Sequence, residues 1–216
     1  GSIESTTGSG AAAATSNLQP TSGDNFIYIA NYRTVTWDGE LTAYSVDLAS
    51  GAISTTPLWL ASPLLDAKIG VTGDSDTRTI YTSTPTALKD FSWASLTATE
   101  KALFDPAKLT QFVDWTPLEK TAGTAESLVN YLRGHNRLEN QDRPVGYGVY
   151  SRLYRDREKI LGDIVHSQPV FVKSSFYTFG DAGYPAFKDS TKTRPGTVYV
   201  ASNEGMLHAF DESGQE

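Results

Sequence analysis

The residues of this chain whose types could do chemistry are three histidines, one adjacent His–Ser pair and one pair of closely spaced carboxylates. His135 sits in a polar connector, His166 beside Ser167, and His208 within a strand-like alternation. Zinc needs three or four convergent donors, and no His-x-x-x-His or comparable spacing occurs. The chain has no cysteine, which excludes disulfides, thiolate metal sites and thiol nucleophiles within it. Ser167 and His166 are neighbours, and neighbours on a strand point to opposite faces, so they do not form a nucleophile–base couple. No Gly-x-Ser-x-Gly elbow, Walker loop or dinucleotide glycine pattern is present. Asp163 and Ser167 read instead as hydrogen-bonding groups of a turn. Asp74-Ser75-Asp76 lacks the alternating oxygen donors and central glycine of a calcium loop and reads as an acidic turn. These residue types point away from catalysis.

The elements that must position them are mostly strands. The net charge of −7 argues, though only weakly, against sequence-independent nucleic-acid binding, which needs a cationic face. Apolar runs such as Val170–Val172 are far too short to cross a bilayer. Gly1–Ser2 reads as an expression scar, so a missing leader says nothing about location. Residues 1–24 are small and polar and read as a flexible lead-in. From Phe26 onward, FIYIA is a strand-length β-branched and aromatic run, Asp38–Gly39 reads as a hairpin turn, and LTAYSV alternates. TRTIYT (77–82) predicts another strand. Helical spacing then takes over. Thr97 and Glu100 form a capping-box pattern, Leu109, Phe112 and Val113 suggest a second short helix, and a third runs over about 125–133 with Gly134 as its cap. The stretch 91–134 is expected to be a helical insertion within one domain spanning 25–216. Residues 133–159 carry seven Lys/Arg against four Asp/Glu and read as a solvated connector. Strands return with VFV (170–172) and VYVA (198–201), and Pro169, lacking an N–H, belongs at a strand start or edge.

The chain also resembles itself. IYIA (27–30) is followed by DGELTAYSVDLASG (38–51), and VYVA (198–201) by EGMLHAFDESG (204–214). Both copies read apolar strand, acidic–Gly, Leu-x-Ala-aromatic, Asp, Ser–Gly. Leu41 and Ala43, like Leu207 and Ala209, share one face, and Tyr44 and Phe210 take the other. His208 falls where the first copy has Thr42, which suits a hydrogen-bonded structural histidine. Recurring strand–turn–strand units are the sequence signature of propellers. The expected fold is therefore mainly β: a partial quinoprotein-like β-propeller with a helical insertion, too few strands to close a ring, and open edges for another chain or a swapped copy to pair with.

VYVASNEGMLHAFDESG (198–214) resembles the repeat of quinoprotein dehydrogenases and their non-enzymatic relatives. With LVNYLRG (128–134), YRDREKILGDIVHSQPVFV (154–172) and WDGELTAY (37–44), it is similar to the C-terminal domain of the PilY/PilC family of type IV pilus assembly and adhesion proteins. LGDIVHSQPV is the most specific of these segments. The family signature falls on Arg133, Gly134, Gly162, Asp163, Ser167, Pro169, Gly205, Leu207, His208, Phe210 and Asp211. Two departures stand out: Glu204 where the family commonly has Asp, and His135 after Arg133–Gly134, which removes any Arg-Gly-Asp tripeptide.

The resemblance implies a non-enzymatic, extracytoplasmic factor at the pilus tip or outer-membrane surface of a Gram-negative bacterium, promoting pilus extension, adhesion and twitching motility. It implies minor pilins or the pilus machinery as partners, with a host or abiotic surface as a further one. It implies no cofactor in this chain, with calcium bound in a part of the domain outside it. The alternative is a fragment of a PQQ-dependent dehydrogenase, against which stand the absent cysteines and the lack of a cofactor-binding set.

Overall fold

The computed structural model describes residues 12–15, 25–139, 153–175 and 177–216. They form two compact units, one built from 1–65 with 159–216 and the other from 66–158.

In the first unit, β1 (Ala12–Thr15), β2 (Phe26–Arg33), β3 (Asp38–Ser45) and β4 (Trp59–Leu60) form an antiparallel sheet in that order. Of the lead-in expected over 1–24, Ala12–Thr15 is thus a strand paired with β2, and the rest lies outside the described residues. The β2–β3 turn occupies residues 34–37, ahead of the expected Asp38–Gly39 pair. Asp38 and Gly39 are drawn into β3 opposite Arg33 and Tyr32, because the Arg33 guanidinium grips the Asp38 carboxylate through Nε at 2.8 Å and Nη2 at 2.6 Å.

A short helix, α1 (Ala61–Asp66), follows β4. The remaining strands of the chain, taken in order, begin with β5 (Tyr81–Ser83) and β6 (Leu88–Asp90), which pair as a small separate hairpin in the second unit. The other regular elements described in that unit are helical: α2 (Ala98–Lys101), short 3-10 turns, α3 (Pro117–Ala122) and α4 (Ala125–Leu132). The local code is explicit here. Thr97, Thr116 and Thr124 each accept the amide three residues on, and Glu100, Glu119 and Ser127 return the bond to complete three capping boxes. Trp115, Leu153 and Tyr154 make the centre of this unit, with Leu109, Phe112, Leu128 and Tyr131 packed around them. Of the basic connector over 133–159, residues 140–152 lie outside the described residues.

Back in the first unit, β7 (Val170–Val172), β8 (Thr197–Ala201) and β9 (Leu207–Asp211) form a second antiparallel sheet, with α5 (Tyr184–Thr191) between β7 and β8. Pro169 immediately precedes β7, an edge strand, where its missing N–H breaks no ladder. The core joins the two sheets: Tyr28, Ala30, Leu41 and Ala43 meet Val198, Val200 and Phe210, with Trp59, Leu65, Leu161 and Ile164 closing around them. Tyr28 stacks on Phe171 with centroids 5.6 Å apart, and Trp59 tilts over Phe210 at 6.1 Å.

The propeller expectation is overturned. The described residues form three separate antiparallel sheets of four, two and three strands, none of them closed on itself. A propeller repeats a four-stranded blade around an axis. Here the segment between the two repeat hairpins builds capped helices around Trp115 in place of blades. The repeat specifies hairpins; it does not specify a ring.

Candidate functional site

The signature block and the second repeat hairpin form one interlocked site in the first unit. Leu161 and Ile164 are buried in the core, which presses the intervening main chain against both hairpins. On one side the Gly39 amide donates to the Leu161 carbonyl at 2.9 Å. A Cβ on Gly39 would strike the Gly162 carbonyl, so close approach demands glycine there, and one on Gly162 would press on the Glu204 side chain.

On the other side, three groups of the block grip the β8–β9 turn. The Gly162 amide donates to the Glu204 carboxylate. Asp163 accepts the Asn203 amide at 3.0 Å through its carbonyl and the Asn203 side-chain amide at 2.6 Å through its carboxylate. Ser167 Oγ accepts the Ala201 amide at 2.9 Å. Ser167 is therefore engaged, and its neighbour His166 is exposed, so the adjacent pair holds structure and carries no catalytic couple.

His208 is the electrostatic centre. Its ring is 1% exposed, with Nε2 2.5 Å from Glu204 and Nδ1 2.8 Å from Glu216. Burial lowers its pKa, but hydrogen bonds and charge from Glu204 and Glu216 outweigh that and raise it above the usual value. The imidazolium is thus a cationic bridge between two carboxylates. Glu204, the departure from the family's usual Asp, reaches both the Gly162 amide and His208. Gly205 takes φ +92°, the left-handed turn conformation foreseen from the acidic–Gly pair. Asp211 caps the exit turn by accepting the Ser213 and Gln215 amides, as Asp47 does for Ala49 and Ser50 in the first repeat. Phe210 is fully buried, whereas Leu207 is 68% exposed.

Arg133 and Gly134 belong to the second unit. Arg133 binds Asp76 through Nε at 2.9 Å and Nη2 at 2.5 Å, and donates to the carbonyls of Phe91 and Arg78. His135 Nε2 lies 2.8 Å from the same carboxylate. Burial would raise the Asp76 pKa, but bonds from His135 and Arg133 bring it down to about 2. Gly134, at φ +110°, ends α4. Asp76, read from sequence as an ordinary turn residue, is therefore the hub of a buried network. Glu139 was also missed: its fully buried carboxylate pairs with Arg157 at 2.6 Å, and the Arg157 guanidinium lies 3.9 Å over the Tyr131 ring. The surplus of arginine near 133–159 was the available signal, but nothing local named the acidic partners.

Beside this network a cavity of about 250 Å³ is lined by Asp74, Ser127, Tyr131, His135, Arg137 and Tyr154, among others. Four of its polar groups pair with one another: Asp74 with Arg137 at 2.6 Å and Ser127 with Tyr154 at 2.8 Å. Among the described residues, no group of three or more His, Cys, Asp or Glu side chains is placed to hold a metal ion. No helix among them is long and apolar enough to cross a membrane.

The site is a hairpin locked by a buried charge cluster, and comparison with known proteins shows what the chain resembles. The chain is 34% identical over 188 residues, 83% of its length, to the type IV pilus biogenesis factor PilY1 of Pseudomonas aeruginosa strain PAO1. It is 34% identical over 198 residues, 88% of its length, to a PilY1 homolog of Xylella fastidiosa. To PilY1 of Pseudomonas aeruginosa strain UCBPP-PA14 it is 31% identical over 225 residues, 96% of its length. These alignments cover 15%, 13% and 17% of the respective relatives, so the chain spans about one-seventh of their length. The likeness supports assignment at the level of the PilY1 family, as a sequence homologous to one segment of those proteins. No protein-family model and no solved structure matches the chain.

Proposed function

We infer that this chain is a non-enzymatic segment of a type IV pilus biogenesis and adhesion factor of the PilY1 kind. The observation that carries the reading is similarity running over 83–96% of the chain to proteins of that name. The site geometry supports it: Gly162, Asp163, Ser167, Glu204 and His208 spend their polar atoms on holding a hairpin in place. In this reading the larger protein acts outside the cytoplasm, at the pilus tip or outer-membrane surface. There it promotes pilus extension, surface attachment and twitching through contact with minor pilins or the pilus machinery. Calcium, where the larger protein uses it, is held by residues outside this chain.

The test is genetic. Deleting the gene in its own host should abolish surface pili and twitching, and the full-length wild-type copy should restore both. The same copy carrying Glu204→Ala should restore them poorly. A deletion strain with normal piliation, attachment and twitching would overturn the reading.

A further inference from the structure

The cavity of about 250 Å³ beside the Asp76 network lies wholly in the second unit, and main-chain hydrogen bonds tie its walls together. The Gly73 carbonyl accepts the amides of Asn136 and Arg137, each at 3.0 Å, which clamps the acidic turn onto the segment that follows α4. The Tyr154 amide donates to the Leu138 carbonyl at 3.3 Å and fixes a further piece of wall to the same segment. The walls therefore stand in place before a ligand enters, as they do in most small-molecule pockets.

The lining has spare hydrogen-bonding capacity but no net formal charge. Asn130, on α4, carries two amide donors and an acceptor, and its side chain has no hydrogen-bond partner among the described residues. Arg137 spends Nη1 on the Asp74 carboxylate at 2.6 Å, and its other guanidinium nitrogens have no partner among the described residues. Leu138, Tyr131 and Tyr154 supply apolar wall. Tyr131 lies between the Arg157 guanidinium, 3.9 Å over its ring, and the Tyr154 ring, 4.7 Å away, so it offers an edge and no open face. A charged ligand finds no uncompensated partner here, and a flat base finds no Tyr131 face to stack on. A wholly apolar ligand would dry Asn130 and Arg137 and leave them unpaired. The volume falls below the roughly 300–1,000 Å³ of drug-sized sites and suits one ring.

We propose that this cavity binds a single neutral sugar ring of the pyranose class. Its hydroxyls, each both donor and acceptor, pair with the Asn130 amide and with the Asp74–Arg137 couple, while its C–H surface packs on Leu138 and the tyrosine edges. The site rests on the cavity and not on the pilus reading, so a chain that binds no sugar leaves the genetic test of that reading untouched.

Saturation-transfer NMR on the whole chain tests this, with the methyl glycosides of glucose, galactose, mannose and N-acetylglucosamine as probes. At least one should give a saturable signal. Asn130→Ala and Arg137→Ala should each weaken its binding about five- to tenfold, the loss of one hydrogen bond. Circular dichroism checks that both are folded; the Arg137 side chain is 47% exposed, so its variant decides the matter if Asn130→Ala does not fold. The same sugars displayed at the ends of immobilised glycans separate the two sources: capture of the chain there assigns a glycan terminus, and binding of the methyl glycosides alone assigns a free sugar. A wild type that binds none of the four, as it would if another part of the polypeptide plugs the cavity, would overturn the proposal. Binding that both folded variants retain in full would overturn it too, as would acetate or cytidine displacing the sugar at equal concentration.

Discussion

Glu204 accepts the amide of Gly162, 42 positions earlier in the chain, with one carboxylate oxygen while its other oxygen lies 2.5 Å from the buried His208 ring. The carboxylate therefore ties the signature block to the β8–β9 hairpin and neutralises a buried cation at once. The stability of the first unit should depend on all three residues.

Gly162→Ala places a methyl group against the Glu204 side chain. Overpacking of this kind costs about 1–3 kcal/mol. In a domain of this size each kcal/mol corresponds to about 2–4 °C in Tm. Calorimetry should show a fall in that range, and an unchanged Tm would mean the block and the hairpin do not pack as closely as described.

His208 gives a pH signature. Its pKa is raised in the folded state, so its stabilising contribution is complete below the unfolded value of 6.5 and fades as pH rises through the folded value. Urea midpoints of the wild type should exceed those of His208→Asn most clearly below pH 6.5. The gap should narrow as pH rises above 6.5 through the folded value. A gap that widens with pH would contradict the bridged imidazolium.

Arg133 and Asp76 predict a sharper loss in the second unit. Their side chains are only 13% and 4% exposed. Removing one member of a buried ion pair costs about 3–5 kcal/mol, because the other is left charged and unpaired. Arg133→Ala should therefore unfold that unit at much lower urea, read from Trp115 fluorescence, and Arg133→Lys should rescue little because it cannot reproduce the forked contacts. Asp76 titrates at about 2, against 3.8 when unfolded, so its contribution should hold above pH 3.8 and drain away toward pH 2.

Calcium should leave this chain unmoved. With Asp76, Glu139, Asp163 and Glu204 engaged by arginine, histidine or amide partners, adding millimolar calcium or a chelator should not shift its Tm. A saturable calcium-dependent rise would show that this chain itself holds a calcium site.

Much of the local structure was legible in the residues. Thr97 with Glu100 announced a capping box, the two repeat segments announced antiparallel hairpins, and Pro169 announced an edge, because each depends on side chains a few positions apart. Tertiary contacts decided the rest. Leu41 and Leu207 hold the same place in the repeat, yet the first is fully buried and the second 68% exposed. Alternation along a strand defines two faces, but which face is covered depends on what packs against it. For the same reason two hairpins did not make a propeller: closure depends on the number and placement of whole sheets. Asp76 looked like any turn residue until folding brought Arg133 and His135, nearly sixty positions away in sequence, onto its carboxylate.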